Sequence, residues 1–165
     1  MAEDDLIQAV LRDDPWKMLV ACVLLNRTSW RQAYPALDAI LGRWPGPLAL
    51  AAAGSDLEAV LRPLGLFQRR AATLRALSAR CVDIGSWPTH LEPGDLPGVG
   101  RYAADSYNIF VGRIPGVVPT DRWLLAYLDG RCHKCGGPAE INDGDDAQGP
   151  PVCCGCYSPD VEERA

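Results

Sequence analysis

Apolar positions in this chain recur at helical spacing. Leu6, Ile7, Val10 and Leu11 share one face of a short amphipathic segment over residues 3–12. Asp14 followed by Pro15 has the form of an N-cap and a first helical position. The stretch behind them, "PWKMLVACVLLNRT", is apolar on nearly every face, which predicts a helix buried at the centre of a domain. Ser29 offers a second cap, for a helix reaching about Leu41, and Trp44-Pro45-Gly46-Pro47 breaks the chain. Ser55 with Glu58 three residues on has the pattern of a capping box, for a helix ending near Arg62. "PLGLF" reads as a turn. Residues 68–84 form another amphipathic pattern, with Leu74, Leu77, Cys81 and Ile84 inward. Then come a loop, "GSWPTHLEPGD", a turn, "LPGVG", running into a helix, a loop over 112–118, and a helix from Asp121 to about Leu128. No stretch before residue 130 alternates with period two, so the expected fold class is all-α.

With 165 residues and 48% of them hydrophobic, the chain suits one compact domain with a small appendage. Its longest apolar run, Met18 to Leu25, is far short of the roughly 18 residues that suggest a membrane span. The N-terminal "MAEDDLIQ" is acidic and lacks the basic start of a secretory signal. The net charge of -5 is unevenly spread. Residues 1–13 carry one basic and four acidic groups, residues 14–130 twelve and ten, and residues 131–165 three and seven. The central segment is mildly basic between acidic ends, which keeps a DNA-facing surface open despite the overall sign.

Residues 95–110, "DLPGVGRYAADSYNIF", carry the first candidate chemistry. A Gly-Val-Gly turn at a helix start directs backbone N–H groups along the positive end of the helix dipole, an arrangement that binds anions. Gly98 and Gly100 are expected to take positive φ and to let the backbone approach a phosphate. An ordinary helix connection that needs glycines for turning fits the four residues Pro97 to Gly100 equally well.

The longer stretch shifts the balance toward the first. "LPGVGRYAADSYNIF" resembles the helix-hairpin-helix motif of the endonuclease III superfamily of DNA glycosylases, in which a catalytic aspartate comes at the start of the next helix. Here Val118-Pro119-Thr120-Asp121 ends a loop, 21 residues after Gly100. "DPWKMLVACVLLNRTS" and "LRPLGLFQRRAATL" are similar to one branch, the mismatch thymine/uracil glycosylase domain found fused to methyl-CpG-binding domains. The similarity runs from about Gln8 to Leu128.

This resemblance implies a helix-hairpin-helix glycosylase fold and a set of roles. Asp121 would be the catalytic carboxylate, stabilising positive charge on the sugar and orienting or deprotonating a water. Without the flanking motifs it would read as an ordinary N-cap. Tyr102 falls where members that also cut the strand carry a lysine. A phenol cannot form the Schiff base that such cleavage needs, so the enzyme is expected to be monofunctional, with Tyr102 against the flipped base. Gln8 would hydrogen-bond the pyrimidine edge, between the apolar walls Ile7 and Leu25. The other reading of Gln8 is an exposed polar residue on a surface helix. Arg27 would fill the gap left by the extruded nucleotide, and Leu64 and Leu66 would wedge beside the unpaired guanine. Pro97, Gly98, Val99, Gly100 and Arg101 would form the phosphate-binding hairpin. Trp123 departs from the branch, which has a lysine there. It either stacks on the base or packs.

Five of the seven cysteines crowd between residues 132 and 156. Cys132-x2-Cys135-x17-Cys153-x2-Cys156 has the spacing of a zinc ribbon with four thiolate ligands. The unevenly spaced cysteines of the superfamily's iron–sulfur cluster do not match it, and a redox or disulfide tail ranks lower. The zinc would be structural, since four thiolates leave no position for water. No cofactor is expected in catalysis.

The expected organisation is a glycosylase domain over 1–130, a zinc-ribbon-like module over 131–158 and an acidic tail over 159–165. The expected activity is hydrolysis of the N-glycosidic bond of thymine or uracil opposite guanine, or of a 5-substituted uracil such as hydroxymethyluracil, in base excision repair. The alternative is a non-catalytic helix-hairpin-helix DNA-binding module whose ribbon recruits a partner. Double-stranded DNA with a flipped-out pyrimidine is the expected partner, with no membrane involved and the protein a monomer. Its expected place is with the DNA in the cytoplasm of a prokaryote, encoded there or by a phage, and not outside the cell.

Overall fold

The computed structural model describes residues 6–129. They contain eight α-helices and one 3-10 turn, with no strand among the described residues. The helices are α1 (Ile7–Val10), α2 (Pro15–Leu25), α3 (Trp30–Arg43), α4 (Pro47–Ala51), α5 (Ser55–Leu61), α6 (Phe67–Val82), α7 (Arg101–Phe110) and α8 (Arg122–Asp129). The 3-10 turn, Arg62–Leu64, comes directly after α5. Two compact units result, one over residues 11–117 and one combining residues 6–10 with 118–129. No described helix is long and apolar enough to cross a membrane.

In the larger unit α2 is the centre, and α3, α6 and α7 pack on it. Its sequence explains why. Trp16 and every residue from Met18 to Leu24 are buried, which only a helix apolar on all faces tolerates. Asp14 starts it as expected, accepting from the Lys17 amide at 3.1 Å, with Pro15 in the first turn. At the next start, Gln32 Oε1 accepts from the Ser29 hydroxyl at 2.9 Å and from the Ser29 amide at 3.4 Å.

Expectations change at the starts of α4 and α5. Pro47 does not merely break the chain but opens α4, where its missing N–H costs nothing. Gly54, not Ser55, is the N-cap of α5. Glu58 does not reach back to a cap: it pairs with Arg75, whose guanidinium also holds the carbonyls of Ala53 at 2.7 Å and Gly54 at 2.6 Å. That arginine fastens the α4–α5 turn to α6. α6 buries Leu74, Leu77 and Cys81, and the Trp16 indole donates to Ser78 at 3.0 Å, tying α2 to α6.

Residues 83–100 carry no helix, and side chains of α7 hold them in place. The Tyr107 hydroxyl donates to the Pro88 carbonyl at 2.6 Å. Asn108 pairs with both backbone groups of Leu91: Oδ1 accepts from its amide at 2.8 Å and Nδ2 donates to its carbonyl at 2.9 Å. Gly112 lets the loop come close, since a Cβ there would overlap the Thr89 carbonyl oxygen.

Candidate functional site

In the smaller unit, Asp121 is the residue before α8, and its side chain caps the helix. Oδ1 accepts from the amides of Trp123 at 2.9 Å and Leu124 at 3.2 Å. Both bonds use Oδ1, which leaves Oδ2 outside the cap. The residue is half-buried, so its carboxylate is held in one orientation without being sealed from water. Trp123 is half-buried, with the Arg122 guanidinium 4.8 Å from its ring centre. On α1, Ile7 is half-buried and Gln8 is only 2% exposed. The reading of Gln8 as an exposed surface residue therefore does not hold.

The larger unit carries the hairpin. Gly98 takes φ +78°, as expected, and a Cβ on it would overlap the Thr73 methyl of α6. Gly100 differs from the expectation: its φ is -88° and it is the extended N-cap of α7. The turn is also more self-contained than a row of outward amides. The Val99 amide donates to Leu96 at 3.0 Å, the Gly100 amide to Gly98 at 3.2 Å, and the Gly94 amide to Val99 at 2.8 Å. An anion at this end would therefore use the first turn of α7 rather than the amides of Val99 and Gly100. Val99 is buried and Pro97 half-buried. Exposed Arg101 is bound through Nε to both oxygens of Asp105, at 3.0 and 3.1 Å, and Asp105 is itself buried. Tyr102, the second residue of α7, is half-buried, and its carbonyl accepts from Ser106 at 2.9 Å.

Leu25 ends α2 and is half-buried. Two residues on, Arg27 is exposed and left-handed, with φ +59°. Leu64 ends the 3-10 turn half-buried, and Leu66 is 66% exposed with φ +48°. Arg70 joins these two loops. It donates from Nε to Gly65 O at 3.2 Å, from Nη1 to Val23 O at 2.9 Å and Leu24 O at 3.0 Å, and from Nη2 to Asn26 O at 3.0 Å and Thr28 Oγ1 at 2.7 Å. No motif marks Arg70, but its spacing does. The signal was present: position 70 is in phase with Leu74, Leu77 and Cys81, an arginine on the inward stripe of a helix.

Cys132, Cys135, Cys153 and Cys156 lie outside the described residues. Among the described residues no group of His, Cys, Asp and Glu side chains is arranged to hold a metal.

No family model matches the chain. Among curated proteins, it is 36% identical over 127 residues to a methyl-CpG-binding domain protein 4-like protein of Arabidopsis thaliana, covering 76% of this chain and 28% of that protein. It is 39% identical over 95 residues to a thymine/uracil-DNA glycosylase of Pyrobaculum aerophilum, covering 55% and 41%. It is 41% identical over 96 residues to a thymine-DNA glycosylase of Aeropyrum pernix, covering 55% and 43%. The chain thus spans less than half the length of each. Among solved structures, a thermostable thymine-DNA glycosylase matches with a TM-score of 0.57 at 21% identity, over 68% of this chain and 54% of that one. A non-covalent endonuclease III–DNA complex matches with a TM-score of 0.58 at 23% identity, over 73% and 63%. At such identities the structural likeness is one of fold.

Proposed function

This chain belongs to the endonuclease III superfamily of helix-hairpin-helix DNA glycosylases, and from that premise we propose that it is monofunctional, hydrolysing the N-glycosidic bond of a pyrimidine mismatched with guanine. Thymine and uracil are the bases we assign to it, with 5-substituted uracils as further substrates. Breaking the C1′–N bond sends the bonding pair into the departing base and leaves positive charge on the sugar. The Asp121 carboxylate stabilises that charge. A water then adds through oxygen to C1′, gives its proton to Asp121, and the base anion is protonated in turn. The observation that carries this reading is the Asp121 cap. Two amides fix Oδ1, so the oxygen that meets sugar or water is Oδ2, already oriented. Gln8, with a donor and an acceptor on one amide, suits the edge of the extruded base, and Trp123 suits its face. Tyr102 stands where strand-cutting members have lysine, so the product is an intact strand with an abasic site.

The four tail cysteines complete the proposal. Their thiolates suit one structural zinc, held in a module separate from the chemistry.

Single-turnover assays of Asp121→Asn on G·T and G·U duplexes test the reading. Base release should fall by about 10²–10³ or more, with mismatch binding retained, because the amide keeps the shape and the cap but loses the charge. The unsubstituted protein should give a broken strand only after hot alkali. Wild-type turnover by the Asn variant would remove Asp121 from the mechanism. Mismatch binding with no release from any duplex would leave a DNA-binding module instead.

A further inference from the structure

Arg70 places all five of its N–H donors on oxygen, and none of the five acceptors is a carboxylate. The residue is 8% exposed. Burying a cation against neutral dipoles alone is expensive, so its acceptors are informative. Val23 and Leu24 contribute unpaired carbonyls at the end of α2, which any good donor could cap. The other three have a different logic. Asn26 O and Thr28 Oγ1 flank Arg27, and Gly65 O immediately precedes Leu66. The Leu66 carbonyl in turn accepts from the Arg70 amide at 2.9 Å.

Arg27 and Leu66 are two of the three non-glycine residues with positive φ among the described residues. Neither type favours that conformation, and such strain persists only where the surroundings hold it. Both side chains are exposed. Two strained residues therefore present their side chains to solvent from two loops, and one planar guanidinium holds the backbone beside both.

We infer that Arg70 is a positioning residue that locks the Arg27 and Leu66 loops into one rigid two-pronged probe of the DNA, set before the duplex arrives. Rigid prongs would enter a weakened base pair without first being ordered, so the guanidinium acts on base extrusion rather than on bond cleavage. The inference rests on the proposed DNA reading.

The test uses the full chain in an Asp121→Asn background, so that no product forms. The probe is a G·T duplex with 2-aminopurine beside the thymine, whose fluorescence rises as the thymine leaves the stack. Arg70→Lys keeps the charge but not the planar fork. It should retain a cooperative melt and need on the order of tenfold more protein for half the fluorescence change. In an Arg27→Ala, Leu66→Ala background, Arg70→Lys should add nothing further, since residues acting as a unit are not additive. An undiminished fluorescence response in Arg70→Lys, or an equal further loss in the double-alanine background, would overturn the lock and leave Arg70 a helix cap. If Arg70→Lys does not fold, Thr28→Val removes one acceptor and should show the same pattern on a smaller scale. A full response from Thr28→Val would then overturn the lock. With no fluorescence change from the parent protein on any mismatch, the DNA reading fails, and the inference with it.

Discussion

At Gly98 the backbone turns through the left-handed region, and the space a side chain would need belongs to Thr73. Gly100, two residues on, has an ordinary φ, and nothing lies within 4 Å of where its Cβ would be. The two positions should answer substitution differently. Gly98→Ala should destabilise the fold by about 2 kcal/mol or more, from backbone strain and overpacking together. Gly100→Ser should be neutral or slightly stabilising, because serine is a favoured N-cap. Denaturant unfolding of the two variants checks this, and equal losses would mean that Gly98 is not held by α6. The sequence motif marks both glycines alike, since a one-letter pattern does not record φ. The left-handed Arg27 and Leu66 were hidden for a related reason. Neither residue type announces that conformation, and the atoms that hold them belong to Arg70, more than 40 positions from Arg27.

Among the elements, the helices with strong caps and long apolar stripes were legible. α2 is implied by Asp14, Pro15 and an all-apolar run, and α6 by its inward leucines. α4, five residues long, offers too short a period to read. The positions of Asp121 and Tyr102 at helix starts were also legible, but the roles proposed for them rest on resemblance, because a cap and a catalytic carboxylate look alike in one sequence. α7 adds a pH dependence. Burial pushes the Tyr107 phenol up from 10.0 to about 12. The folded chain therefore holds that proton more tightly than the unfolded chain does. The stability this confers is complete below about pH 10 and is lost as the pH rises from there through about 12. Tyr107→Phe should cost about 1 kcal/mol near neutral pH, through the lost bond to Pro88, and should show a shallower alkaline decline. Urea midpoints between about pH 8 and pH 11 compare the two proteins, and parallel declines would remove Tyr107 as the cause.

For the whole molecule, the uneven charge matters more than the total. The two acidic ends outweigh a central segment with twelve basic and ten acidic residues, so the chain is acidic where the cysteine tail lies and mildly basic where the hairpin and its loops lie. If the proposed four-thiolate site holds, elemental analysis of the purified full chain should find about one zinc and no stoichiometric iron. A brown protein with several irons would replace the ribbon with a cluster. The loop over residues 83–96 shows how such a chain orients its hairpin without a helix leading into it. Asn108 grips Leu91 by both backbone groups, as a neighbouring strand would, and the grip belongs to the helix downstream of the turn. The hairpin thus takes its bearings from α7, through Leu91, as well as from the Thr73 side chain of α6 behind Gly98. Trp87 adds to that hold, its ring centre 6.0 Å from that of Tyr107, so a change of length within residues 83–86 should leave the turn pointing as it does, whereas one that moves Trp87 off Tyr107 should not.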